Sequence, residues 1–251
     1  MVFCDIGRAC IRAVASVLFL TAYPMIVPAH AGDLAKLEPI GFSDDGAVFA
    51  YQESGIQDGS GFPYANIFVL DLDKDRFIRP SPIRVTLSDE TSTVADAMNE
   101  ARSQASILLS DLMPEPRPGL AVIENLPTDL STDGKVVRFV PRLFVPPIDA
   151  ATELRLSTFP MAGPELCEGI TDTAGFKLNR IALAEGEKAL TLHEDTGIPF
   201  SRGCPTDYEI RQVRLYMKAS GGYSGVAIIA VESYGFEGPD TRHIAVPVPM
   251  D

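Results

Sequence analysis

The chain has 251 residues, with 21 lysines and arginines against 34 aspartates and glutamates, and a formal net charge of −13. A field of that sign repels nucleic-acid phosphates and anionic lipid head groups, so neither is an expected partner. Twenty glycines, twenty prolines and no tryptophan, with too much aliphatic content for disorder, indicate a turn-rich folded protein able to bury a core.

Arg8 and Arg12 precede an apolar stretch from Ala13 to Val27, and Ala29-His30-Ala31 places a small-x-small pattern before Gly32. That is the layout of a secretory signal peptide over residues 1–31. Pro24 and Pro28 punctuate the apolar run, which falls short of the about 20 residues a membrane span needs. No integral span is expected after cleavage, and residues 32–251 are expected to form one periplasmic or secreted domain. Cys4 and Cys10 leave with the leader, whereas Cys167 and Cys204 remain. Two cysteines in an exported protein are most simply one disulfide, and no C-x-x-C spacing supports a redox pair.

From Ile40 to Ile78 the chain reads as β-hairpins. Ser43-Asp44-Asp45-Gly46 is a turn because Asp-Gly pairs tolerate positive φ. Ala47–Tyr51 is a strand, Glu53–Pro63 a glycine-rich loop, Asn66–Asp71 a strand, and Asp73-Lys74-Asp75 a turn into Arg76–Ile78. Val94, Met98, Ala101, Ala105, Leu108 and Leu112 recur at steps of four and three, which predicts a helix over Thr93–Leu112. Thr93 and Asp96 form a capping-box pattern, with Asp in place of Glu, and Pro114 and Pro116 stop the helix. Further strands are predicted at Leu120–Ile123, Lys135–Val145, Leu154–Phe159, Gly175–Leu178 and Ala189–Leu192, with a hairpin turn at Asp133-Gly134. Alternation from Tyr208 to Met217 changes phase near Gln212, which predicts a β-bulge. Gly225–Ser233 is a near-continuous apolar run, the pattern of a strand buried on both faces. His243–Val248 carries Pro247, which places it at a sheet edge. The expected fold is mainly β (α+β): antiparallel hairpins and sheets with one amphipathic helix packed on a sheet.

Phe42–Gly46, Phe49–Tyr51 and Asn66–Asp71 resemble one blade of the β-propellers of Tol-system periplasmic proteins. The likeness is local, and a propeller needs at least about four blades. A broader resemblance rests on Gly55–Tyr64, Pro199–Pro205 and Gly235–Arg242. These segments resemble those of a bacterial family of predicted secreted proteins catalogued as a domain of unknown function. The resemblance implies export and one shared domain, and brings no catalytic residues with it.

Catalytic equipment is sparse. Gly221-Gly222-Tyr223-Ser224-Gly225 looks superficially like a nucleophile elbow, but that motif needs a glycine two residues after the serine, where this chain has Val226. Only His193 and His243 remain as bases once His30 is gone. No His-x-x-x-His or Cys-x-x-Cys spacing offers a zinc site. Asp71-Leu72-Asp73-Lys74-Asp75 starts like an EF-hand loop, yet Arg76 stands at the sixth position and Pro82 at the last. Glu237, Asp240 and Asp58 would hold calcium jointly only if folding gathers them. No catalytic residue, metal or cofactor is expected.

Polar-aromatic loops carried on β scaffolds are where recognition often sits. The candidate binding residues are Asp58, Ser60, Phe62 and Tyr64 in one loop and Glu237, Asp240 and Arg242 in another. Arg202, beside Cys204, is a third candidate unless a carboxylate claims it. The expectation is a non-catalytic envelope or extracellular binding module for an envelope protein or small ligand, with a hydrolase or a calcium-dependent protein as the rival.

Overall fold

The computed structural model describes residues 32–181, 183 and 188–250; the expected signal peptide lies outside them. The fold is mainly β, as the sequence pattern predicts, with three antiparallel sheets and one α-helix among the described residues. In the first sheet, β1 (Lys36–Phe42), β2 (Val48–Ile56) and β3 (Pro63–Asp71) lie side by side. The short β4 (Arg76–Phe77) and β5 (Ile83–Thr86) pair with opposite ends of β3. The second runs in the order β10 (Leu190–Glu194), β9 (Ala174–Ile181), β8 (Thr152–Pro160), β7 (Val136–Phe139). The third runs β13 (Asp240–Pro247), β12 (Tyr223–Ser233), β11 (Pro205–Met217), β6 (Leu120–Glu124).

Side-chain alternation stacks these sheets, because successive residues of a strand face opposite ways. Val48 and Ala50 of β2, with Ala65, Ile67 and Val69 of β3, pack under helix α1 (Val94–Leu112). Phe49, Tyr51 and Phe68 face the other way, onto Val226 and Ile228 of β12. Ala227, Ile229 and Val231 of β12 then point to the second sheet, where Leu154, Leu156, Phe176 and Leu178 meet them. The layers are therefore helix, first sheet, third sheet, second sheet. β12 is buried on both faces at its centre, as its apolar run predicts.

Local signals explain much of this. Thr93 caps α1: its hydroxyl accepts from the Asp96 N–H at 3.2 Å, and Asp96 Oδ2 accepts from the Thr93 N–H at 2.9 Å. Ala97, Ala101 and Ala105 form the buried stripe, and their small size lets the helix lie close on the sheet. The β1–β2 turn is built by Ser43 and Asp45, whose side chains accept from Val48 N–H and Ala47 N–H, with Gly46 at φ +72°. The bulge expected near Gln212 lies between Ile210 and Gln212, and β13 is an edge strand. Cys167 and Cys204 form the expected disulfide, which joins the segment carrying β8–β10 to the start of β11.

Several expectations need correction. The strand predicted over Lys135–Val145 ends at Phe139, since Pro141, Pro146 and Pro147 bring no N–H to a ladder. Glu53, Ser54 and Gly55 belong to β2, paired with Asn66, Ala65 and Tyr64, so the first candidate loop is only residues 57–62. Asp133-Gly134 does not close a hairpin, because β6 and β7 lie in different sheets. β5 and most of β1 were not anticipated from the sequence.

Candidate functional site

The core of Phe49, Tyr51 and Phe68 gives way to polar groups at one end of the first and third sheets. Tyr51, fully buried, donates its hydroxyl to the His243 carbonyl at 2.9 Å. Glu53 accepts from the His243 N–H at 3.0 Å and from Asn66 Nδ2 at 3.0 Å. These bonds join β2 and β3 to β13, so two sheets share one polar seam.

Asp33 closes the seam. It is 6 % exposed, accepts from Tyr64 Oη at 3.0 Å and pairs with Arg242 Nη2 at 2.6 Å. Its backbone N–H donates to Asp240 Oδ1 at 2.9 Å, and its carbonyl accepts from the Thr241 N–H at 2.8 Å. The Arg242 guanidinium also lies over the Tyr64 ring, 4.6 Å from its centre. Burial raises the Asp33 carboxyl above the usual aspartate range, more than the Arg242 charge and the hydrogen bonds from Tyr64 and Arg242 lower it. Burial likewise raises the Tyr64 phenol. Burial works against the Arg242 charge, yet Tyr64, Asp33 and Glu53 carry its pKa above the usual range.

The two candidate loops meet on this seam. Asp58 Oδ2 accepts from the backbone N–H of Phe236 at 2.5 Å and of Glu237 at 2.8 Å. Charge-assisted bonds of this kind are among the stronger ones in proteins. The 57–62 loop is tied to itself: Gln57 N–H donates to Phe62 O, Gly61 N–H to Gln57 O, and Ser60 Oγ to Gln57 Oε1. Gly59 and Gly61, at φ +78° and +70°, supply the conformations this loop requires. Beside the junction lies a shallow cavity of about 600 Å³ lined by residues that include Gly32, Asp33, Leu34, Gln57, Asp58 and Glu237. Phe236 stands 82 % exposed next to it, and Leu34 and Ile56, which line it, are each more than half exposed.

Roles within the candidate set therefore divide. Asp58 is a clasp, Ser60 stabilises its own loop, Phe62 is half-buried, and Tyr64, Asp240 and Arg242 build the seam beneath. Glu237 faces solvent with its N–H held by Asp58. Arg202 is spent on contacts of its own, and its carbonyl accepts from Ser233 Oγ at 3.4 Å. Its side chain is 11 % exposed and pairs with Asp195 at 2.6 Å, with its guanidinium over the rings of Phe176 and Tyr208. Asp33, Leu34, Ile56 and Phe236 were not singled out as site residues, although Phe236 lies within a loop that was. Asp33 offered no motif, since its partners are 31, 207 and 209 residues away.

The rival chemistries find little support in the geometry. Ser224, the second residue of β12, lies beside Gly46 and Lys218, and no hydrogen bond joins it to His193 or His243 among the described residues. Gly221 and Gly222, at φ +91° and +75°, form the tight β11–β12 hairpin instead of a nucleophile elbow. Asp71–Asp75 is a hairpin turn in which Asp71 accepts from the Asp73 and Lys74 N–H groups. Among the described residues no three histidine, cysteine or acidic side chains gather in a way that would hold a metal ion. His193 does have an acid partner: its Nε2 lies 3.0 Å from Asp195 Oδ1.

A family model described as "Predicted secreted protein (DUF2259)" matches residues 50–249. No curated protein and no solved structure matches the chain. No helix among the described residues is long and apolar enough to cross a membrane.

Proposed function

We infer a function for this chain from the premise that it belongs to this family of predicted secreted proteins: it works outside the cytoplasm, in the periplasm or beyond, as a non-catalytic binding module. The observation that carries the proposal is the Asp58 clasp on the Phe236 and Glu237 N–H groups. A carboxylate that satisfies two backbone donors from a loop 178 residues away fixes two distant segments as one surface. A preorganised surface loses less entropy on binding, and its most prominent feature is an exposed aromatic ring, a side chain enriched in interfaces. The residues under the junction are spent on holding it, which favours recognition over chemistry. The partner proposed is an envelope protein or a small ligand that covers Phe236 and the adjoining cavity.

A photoreactive phenylalanine analogue at position 236, introduced in the exporting cell, tests this. Discrete cross-linked adducts are expected from position 236 and not from position 107, a helix residue 74 % exposed, and Asp58→Ala should abolish them. Equal adducts at both positions, or none at 236, would reject the binding surface.

A further inference from the structure

The segment after β7 carries the most exposed run of apolar side chains among the described residues. Leu143 is 79 % exposed, Phe144 52 %, Val145 101 % and Ile148 61 %. Arg142 and Asp149 staple its base: Arg142 Nε donates to Asp149 Oδ2 at 2.8 Å, and Arg142 Nη2 pairs with Asp149 Oδ1. Residues 143–148 contain no charge, and the staple cancels the two charges at the neck. The result is an electrically neutral, apolar finger on a strongly acidic protein.

We propose that this finger, residues 141–149, seats its tip in the interfacial region of a zwitterionic phospholipid bilayer. The proposal is independent of the Asp58–Phe236 surface. Exposed apolar patches mark interaction sites, and here the size of the patch selects the partner. A stable protein interface engages roughly 20–30 residues a side, far more than a six-residue tip, whereas a bilayer needs no complementary shape. Backbone chemistry agrees with a shallow seat. Pro146 and Pro147 carry no N–H, and the Phe144 N–H is bonded to Arg142 O at 3.0 Å, so half of the six tip residues bring no free donor. Irregular backbone is excluded from the hydrocarbon core but not from the interface, where apolar side chains can bury and polar groups stay wet. The Arg142 guanidinium, 5.8 Å from the Phe144 ring centre, sits at the depth of the lipid phosphates. Head-group choice follows from charge. A net charge of −13 repels anionic lipid, and the neutral finger gains nothing there. Salt screens that repulsion over a Debye length of about 10 Å at 0.1 M.

The absence of tryptophan makes Phe144→Trp a clean reporter. With phosphatidylcholine vesicles its emission should shift to the blue and be quenched by lipid brominated along the acyl chain. The unmodified protein should sediment with those vesicles. Val145→Asp should stay in the supernatant with an unchanged melting temperature, while Ile107→Asp, the same charge change elsewhere, should still sediment. Phosphatidylglycerol vesicles should bind less at low salt and recover as salt rises. An indole unaffected by vesicles, sedimentation that survives Val145→Asp, or a lipid-free oligomer that Val145→Asp dissociates would each overturn the proposal, the last in favour of self-association.

Discussion

Asp195→Ala is expected to destabilise the protein by about 3–5 kcal/mol, because removing one partner of a buried ion pair strands the other. Asp195 is 3 % exposed and Arg202 11 % at the side chain. The carboxylate also accepts from the Phe176 N–H at 2.9 Å and contacts His193, so one truncation leaves several polar groups in the interior. A surface pair such as Lys36–Glu38, 70 % and 30 % exposed, is worth only about 0–1 kcal/mol. Urea unfolding with an unchanged m-value would measure the loss. A loss under 1 kcal/mol would show the pair to be incidental, and Arg202→Met added to Asp195→Ala should recover part of the stability. Burial pushes the Asp195 carboxyl up, but hydrogen bonds from His193, Arg202 and the Phe176 N–H outweigh it and hold the pKa at about 2. A depressed folded value means that the stability is fully present above the unfolded aspartate value near 3.9 and is lost as pH falls through about 2. Asp33 acts in the opposite sense. Its raised carboxyl binds a proton more readily folded than unfolded, so its contribution shrinks as pH rises from the usual value through the raised one.

Reducing the Cys167–Cys204 disulfide should cost about 4 kcal/mol in the chain-entropy model for a loop of this length, given a sequence separation of 37. The bond spans β9 and β10, an outer pair of the second sheet, and ends next to the Phe200–Arg202 turn. Loss of the cross-link therefore also weakens the placement of Arg202 against Asp195. For a chain of this size the expected fall in melting temperature is roughly 8–16 °C. Cys167→Ser/Cys204→Ser should behave like the reduced protein; a melting temperature unaffected by reductant would contradict this.

What the sequence made legible was local or compositional. Thr93 and Asp96 stand three residues apart, the phase change at Gln212 lies within one strand, and the apolar run of β12 announces burial on both faces. The cysteine pairing came from the leader, which left only two thiols. Long-range choices left no comparable mark. Nothing near Asp58 shows that its carboxylate reaches Phe236, and nothing near Leu120 shows that β6 lies beside β11, where Val213 pairs with Ile123. Arg202 was open to any of the many carboxylates, and the one that claims it, Asp195, stands seven residues away across the Phe200–Arg202 turn. The finger was hidden differently. Its aliphatic residues extended a genuine strand, and only Val140, Pro141 and Arg142 separate Val136–Phe139 from the apolar tip at residues 143–148.

The clasp is tested most directly by amide hydrogen exchange at Phe236 and Glu237. Both amides should be protected in the native protein. A lost charge-assisted bond is worth about 1.5–3 kcal/mol, so Asp58→Ala should speed their exchange roughly ten- to hundredfold. The Ile228 amide, deep in β12, should keep its protection. Fast exchange at both loop amides in the native protein, or protection that survives Asp58→Ala, would contradict a surface built by joining the two loops.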